Sequence, residues 1–249
     1  MKKLLPFLAI LGFNLHFLTA SMVGNLADPA LLEEGLWISD LSWSNLRLGM
    51  SGDIVFDKRM RSSRETRGIS HPELNWQLFV TDLGWNVKER FDLHLLVGPV
   101  TKVNMCWRRE GALTEASGNQ GLFWGASSKL ILLEVEDTTL GVDFHGGGIA
   151  WIKGALVQNG LPLPKSFSSN LHFWQIAAGL SQHIGSFRPY VGGVVDHLVY
   201  HIENLRFKNL VAVGLVEGCS FSFGSCIFLN LEVRQFFESG LSLSGELRF

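Results

Sequence analysis

The last nine residues, LSLSGELRF, place Leu241, Leu243, Gly245, Leu247 and Phe249 on one side of a strand and Ser242, Ser244, Glu246 and Arg248 on the other. Successive side chains of a strand point to opposite faces, so a period of two is the signature of a sheet with one apolar face. The period recurs along the chain. Leu46, Leu48, Met50, Ile54 and Phe56 alternate with Arg47, Gly49, Ser51, Asp53 and Val55. Leu74, Trp76, Leu78 and Val80 alternate with Asn75, Gln77, Phe79 and Thr81. Leu93, Leu95 and Val97 oppose Asp92, His94 and Leu96, and Trp124 and Leu130 oppose Gly125, Ser127 and Lys129. Leu140, Val142 and Phe144 oppose Gly141, Asp143 and His145. Trp174 and Ile176 oppose Gln175 and Ala177, and Pro189 and Val191 oppose Arg188 and Tyr190.

Ten strands are predicted, over 46–57, 74–86, 91–100, 121–133, 138–147, 171–182, 187–196, 206–219, 225–235 and 240–249. A twelve-stranded count follows if 148–158 continues the sheet. The second, fourth, sixth and eighth connections are short. Those over 58–73, 101–120 and 148–170 are long, and only 236–239 is tight where a long loop is expected. An even strand number with short turns at the end that carries the termini and longer loops at the other is the asymmetry of a transmembrane β-barrel. Closure is required because lipid cannot satisfy an open sheet edge. In the ninth-strand region, a turn over 221–224 sets Cys219 opposite Cys226, Val216 opposite Leu229 and Gly214 opposite Leu231. That hairpin leaves two readings for the cysteines, a cross-strand disulfide or two neighbouring thiols.

Composition fits this architecture. Hydrophobic residues are 47% and charged ones 18% of 249 residues, and the mean hydropathy is +0.20. No apolar run beyond the N-terminus reaches the roughly 18 residues of a spanning helix. The net charge of −2 argues against both disorder and nucleic-acid binding. Lys2 and Lys3, the apolar stretch 4–18 and the small residues Ala20 and Ser21 read as a cleaved secretory signal over 1–21. It is followed by an N-terminal periplasmic segment over 22–45 and the barrel over 46–249. The expected class is therefore all-β, a closed antiparallel transmembrane barrel in a bacterial outer membrane. Leu46, Trp76, Leu93, Leu229 and Leu243 are expected to face lipid.

Several segments resemble the chlamydial major outer membrane protein (porin) family. They are VGNLADPALLEEGLW (23–37), RLGMSGDIVFDKRM (47–60), ERFDLHLLVG (89–98), FWQIAAGLSQHIGSFRPYVGG (173–193) and CIFLNLEVRQFFESGLSLSGELRF (226–249), in that order. The resemblance implies a trimeric porin passing ions and small solutes. This chain is shorter than family members and carries no cysteine over 38–44, so the family's disulfide network is not carried over. Closing an alternating strand, Leu241, Leu243, Leu247 and Phe249 resemble the signal read by the outer-membrane barrel-assembly machinery.

Parity assigns a lumen set: Arg47, Asp53, Gln77, His94, Lys129, Asp143, His145, Arg188, Glu232, Arg234, Glu246 and Arg248. Inward glycines and serines leave space, and mixed charges keep it wet or pair with one another. The expected function is a porin-like channel, with a non-conducting structural or adhesive barrel as the alternative. His94, Asp143, His145, Asp196 and His197 carry the side chains that a hydrolytic site in a barrel would use. No nucleophile elbow or zinc-ligand spacing accompanies them, so no catalytic residue, metal or cofactor is assigned. The basic run DKRMRSSRETR (57–67) fits lipopolysaccharide phosphates or, equally, a solvated loop. Trp76, Trp85, Trp107, Trp124, Trp151 and Trp174 fit interfacial girdles or core packing.

Overall fold

In the computed structural model, residues 24–26, 44–62, 68–87, 90–223 and 227–248 are described, and the chain is almost entirely strand. The strands are β1 (Ser44–Ser62), β2 (Ile69–Val87), β3 (Phe91–Arg109), β4 (Ala112–Val135), β5 (Thr138–Gln158) and β6 (Leu161–Gln182). They continue as β7 (Phe187–Ile202), β8 (Leu205–Asn209), β9 (Val213–Phe223), β10 (Ile227–Gln235) and β11 (Ser239–Arg248). All pairings are antiparallel. β11 returns to β1, with Leu48 opposite Leu247 and Ile54 opposite Leu241, and closes a ring of ten strands, β1 to β7 with β9 to β11.

The ring changes size along its axis. β9, β10 and β11 are short, whereas β7 and β1 run on past them. The gap above the short strands is filled by β8, which pairs with β7 on one side (Val199 opposite Lys208) and with β1 on the other (Arg61 opposite Lys208). At that level β1 to β8 form a ring of eight. An eight-stranded barrel has an interior that side chains just fill. Here they do: Leu74, Trp76, Val103, Met105, Trp107, Ile152, Phe167, Leu171, Leu198, Tyr200 and Phe207 form one buried apolar cluster.

Apolar and polar faces exchange along the wall. On β2 the even-numbered residues point inward throughout. Near the termini these are Asp82, Gly84 and Asn86, while Leu83 and Trp85 face out. Further along they are Leu74, Trp76, Leu78 and Val80, while Glu73 and Gln77 face out. The same exchange occurs on β3. Leu93, Leu95 and Val97 lie outside over the first half; Val103, Met105 and Trp107 lie inside over the second, with Lys102 and Arg108 outside. The lower half of the barrel is thus clad in apolar side chains, as a wall in lipid must be. The upper half has a dry apolar core and an outer face with many polar side chains.

This exchange corrects several expectations. Trp76 is only 4% exposed and faces the interior, and Trp107 joins it there, whereas Trp85, Trp124, Trp151 and Trp174 face out. Gln77 points outward, away from the lumen. Leu46, Leu93, Leu229 and Leu243 face out as expected. The described residues of the three long loops are instead largely paired strand. β3 and β4 meet at Glu110–Gly111, and β5 and β6 at Asn159–Gly160, each turn with both residues at positive φ. Such a turn matches the twist of a hairpin. Residues 148–158 extend β5 and add no further strand, and the span 206–219 divides into β8 and β9.

The β9–β10 register also differs from the expected one. Cys219 pairs with Leu231, and Leu229 pairs with Phe221. Val216 therefore points inward, opposite to the face of Leu229. Cys219 is a free thiol, and Cys226 lies outside the described residues, as do the signal over 1–21 and Phe249.

The exchange of faces predicts position-dependent costs for charge. Leu95→Arg, in the apolar cladding, is expected to destabilise the folded barrel in lipid vesicles by about 2–4 kcal/mol, and Gln77→Arg by less than about 1 kcal/mol. Urea titration of the two variants in the same vesicles checks this. Equal costs would mean that the bilayer also covers the upper half.

Candidate functional site: the barrel interior

Three layers occupy the interior. In the lowest, Arg47 Nη1 donates to Asp92 (2.9 Å) and lies 3.7 Å from Glu246. Asn86 donates to the other oxygen of Asp92 at 2.6 Å. Nδ1 of His94 sits 2.9 Å from Asp82 and its Nε2 3.7 Å from Asp92. A carboxylate only accepts, so the proton of that contact resides on Nδ1. Arg188 Nη2 donates to Nε2 of His183.

The same level holds part of the N-terminal segment. Gly24–Leu26 lies inside the wall, and Leu26 is fully buried. Its neighbours are the inward glycines of three adjacent strands. A Cβ at Gly141 would stand 2.1 Å from the Leu26 carbonyl oxygen, and Cβ atoms at Gly179 and Gly192 would stand 2.7 and 3.1 Å from its Cδ1. The missing side chains form the trough that Leu26 fills. Around it, Gly24 N–H donates to Glu232 (2.6 Å), Asn25 Nδ2 to Ser220 Oγ (3.1 Å), and Lys129 Nζ to the Asn25 carbonyl (3.3 Å).

The middle layer lies where the ring narrows. Lys58 Nζ donates to Asp196 (2.7 Å) and to Glu238, and lies over the ring of Phe237 at 5.0 Å. Arg234 meets Glu232 and Asp53, the latter at 3.4 Å. Lys58 and Arg234 thus face four carboxylates, all buried. Neutral donors share the load. Trp76 Nε1 donates to Asp53 (3.2 Å), Tyr190 to Glu232 (2.9 Å), and Gln175 and Asn209 to Asp196 (3.1 and 3.3 Å). Buried charge is tolerated only when its hydrogen bonds are satisfied in this way.

Two of these residues stood differently in the sequence. Lys58 belongs to the basic run over 57–67, yet it is buried, because a bulge between Val55 and Asp57 moves the inward parity from odd to even residues. Glu238 lies in the connection over 236–239. That connection folds inward and buries Phe237 and Glu238 under β8. Neither the bulge nor the infolding has a period-two signal.

The third layer is the apolar cluster of the eight-strand level. Between it and the middle layer is a space of about 30 Å³, lined by Asp53, Trp76, Phe123, His145 and Phe173 among others. The lower layer holds one of about 70 Å³, beside Ser51, His94, Lys129 and Asn230. Each is room for a few waters and no more.

Of the residues assigned to the lumen, Arg47, Asp53, His94, Lys129, Asp143, His145, Arg188, Glu232 and Arg234 are buried inside the wall. Glu246 is inward and partly exposed, and Arg248 is on β11 opposite Arg47. The histidines weighed for catalysis are dispersed. His94 is tied to Asp82 and Asp92, and His145 packs edge-on to Phe173 with ring centroids 5.1 Å apart. Asp196 points inward to Lys58, while His197 stacks outside on Trp174.

No family model matches the chain, and no curated protein matches it. Among solved structures it is similar to the outer membrane protease OmpT from Escherichia coli. Identity is 11%, with 82% of this chain and 93% of that chain covered, and the TM-score is 0.37. It is similar to the translocator domain of autotransporter NalP from Neisseria meningitidis, with 13% identity, coverages of 82% and 87%, and a TM-score of 0.43. A third is the Pseudomonas putida toluene transporter TodX, with 8% identity, coverages of 93% and 95%, and a TM-score of 0.34.

Two predictions follow from the interior packing. Lys58→Met leaves Asp196 and Glu238 without their cation and is expected to cost about 3–5 kcal/mol. Adding Asp196→Asn and Glu238→Gln to it should restore most of that stability in urea titration. Gly141→Ala places a methyl group against Leu26 while meeting no wall atom as closely. It should release the N-terminal segment with the wall intact, seen as faster proteolysis within 22–45 and unchanged protection of the strands.

Proposed function

We propose that this chain is an outer-membrane β-barrel that is closed to passive diffusion in the described state. It acts as a structural wall element that raises a rigid eight-stranded extension above the bilayer. The observation that carries this reading is the apolar cluster filling the eight-strand level from Leu74 to Phe207. Its residues come from the strands of the wall itself. β3 continues about ten residues past the apolar cladding, which at about 3.3 Å per residue and a tilt near 40° is a rise of roughly 25 Å. The outward residues there are polar, a surface suited to a partner or to solvent. The reading includes insertion through the barrel-assembly machinery at the β11 strand. It keeps the chain as a short relative of the chlamydial major outer membrane protein family.

One observation favours a channel instead. The ten-strand level is polar, and the described residues that fill it from the N-terminal segment are joined to the wall by side-chain hydrogen bonds rather than by strand pairing. A conducting state would need that segment to leave and the upper cluster to part.

Planar-bilayer recording decides between them. Refolded full-length protein is expected to give no unitary steps above the lipid-only baseline. Steady steps in the range of an open porin would overturn the closed reading in favour of the channel.

A further inference from the structure

The upper rim of the apolar cladding is marked on β6 and β7. Trp174 faces out and stacks on His197 at 5.6 Å, and just below lie the exposed pair Val195 and Val213. Tryptophan at this level is where interfacial aromatic belts sit. One step higher, β8 enters between β7 and β1. Its inward residues, Phe207 and Asn209, are buried; its outward residues are Arg206 and Lys208. The register sets Lys208 opposite Val199 and, on the other side, opposite Arg61; Arg206 stands opposite His201. Lys208 is thus two residues above the Trp174–His197 pair, about 7 Å along the strand.

Like charges on facing strand positions repel, and Arg61 and Lys208 are such a pair. Among the described residues no carboxylate forms an ion pair with Arg61, Arg206 or Lys208. Glu203 is taken by Lys165 (3.0 Å), and Asp57 stands beside Arg59 (4.0 Å). Partial burial, and then the Arg206 guanidinium and His172, hold the His201 imidazole below its ordinary range. Cations at headgroup height with no carboxylate partner among the described residues are suited to an anion of the membrane surface.

We propose that the β8–β1 edge is a docking surface for phosphorylated lipid headgroups of the outer leaflet, held by Arg61, Arg206 and Lys208. The proposal rests on the outer-membrane reading above. Guanidinium and ammonium groups bind phosphate through charge-assisted hydrogen bonds, and neighbouring cations on adjacent strands match a headgroup carrying more than one phosphate. The lipid would seal the seam where the wall passes from ten strands to eight.

The full-length barrel, refolded in zwitterionic micelles, tests this by titration with bis-phosphorylated lipid A, dephosphorylated lipid A and inorganic phosphate. The expected result is binding of the phosphorylated lipid at least about tenfold tighter than of the dephosphorylated one. Inorganic phosphate should not compete at the same phosphate concentration. Arg61→Gln/Arg206→Gln/Lys208→Gln should lose the preference. It should unfold at the same or a higher temperature in micelles without lipid A, because repulsion is relieved. The exposed single variant Arg206→Gln should show a smaller loss, and Lys153→Gln on β5 none. Retention of the preference by the triple variant, its absence in the wild type, or equal competition by inorganic phosphate would overturn the proposal. A chain that gives no heat-modifiable folded form in micelles would overturn the barrel reading itself and the docking surface with it.

Discussion

The width of a closed barrel is set by its strand number, and this chain changes that number part-way up its own wall. Ten strands enclose a space too wide for wall side chains alone to fill, and eight enclose one that they fill completely. The change needs two devices. β9, β10 and β11 stop early, and β8 bridges β7 to β1 above them. The interior contents follow from the local width. At the wide level the filling is partly Leu26, from outside the strands, in its glycine trough, and partly the buried charge network carried mostly by the wall strands. At the narrow level it is Trp76, Trp107, Phe207 and their neighbours. The infolded Phe237 and Glu238 occupy the step between the two.

The second constraint is the medium outside. A strand that crosses lipid and continues into water keeps its alternation but must exchange the meaning of its two faces. β2 shows this within one element: Leu83 and Trp85 face lipid below, and Leu74 and Trp76 face the core above, all on one unbroken alternation of inward and outward positions. The buried charges sit near the exchange. There, Lys58 and Arg234 bind strands that are distant in sequence, and neutral donors such as Trp76, Tyr190 and Gln175 satisfy the carboxylates that outnumber them. Such a network adds specificity of register more than stability, since charges gain little on balance from burial.

These two constraints explain what the sequence disclosed. The alternation identified the sheet and the inward side of β1, β4, β5, β6 and β7, because period two survives any change of medium, while closure was read from the even strand count and the unequal connections. It assigned Trp76 and Gln77 to the wrong faces, because an apolar face was equated with lipid along the whole of β2. Asn159–Gly160 is a strong hairpin signal that would have joined β5 to β6 directly. It lies inside the span 148–170, read from the sequence as a long connection. The inward turn of Lys58 depends on a single bulged residue, and the β9–β10 register depends on where a turn falls. Neither carries a distinct composition. The β8 bridge is five residues of ordinary alternation, and only its two neighbours reveal its role.

Closure at the narrow end differs in kind from closure at the wide end. Leu26 and the described residues beside it belong to no strand and meet the wall through side-chain hydrogen bonds and the apolar contact of Leu26. Displacing them exchanges those bonds for water and leaves the ring intact. The upper cluster has no such component. Every residue in it is anchored on a strand whose backbone is paired on both sides, so parting the cluster requires either widening an eight-stranded ring or breaking its hydrogen bonds. Side chains repack readily, but strand number is conserved unless β8 leaves. If β8 left, β1 and β7 would expose unpaired edges over the stretch it now covers. Parting the narrow level therefore turns on β8, the element that reaches the dry core through Phe207 and the outer face through Arg206 and Lys208.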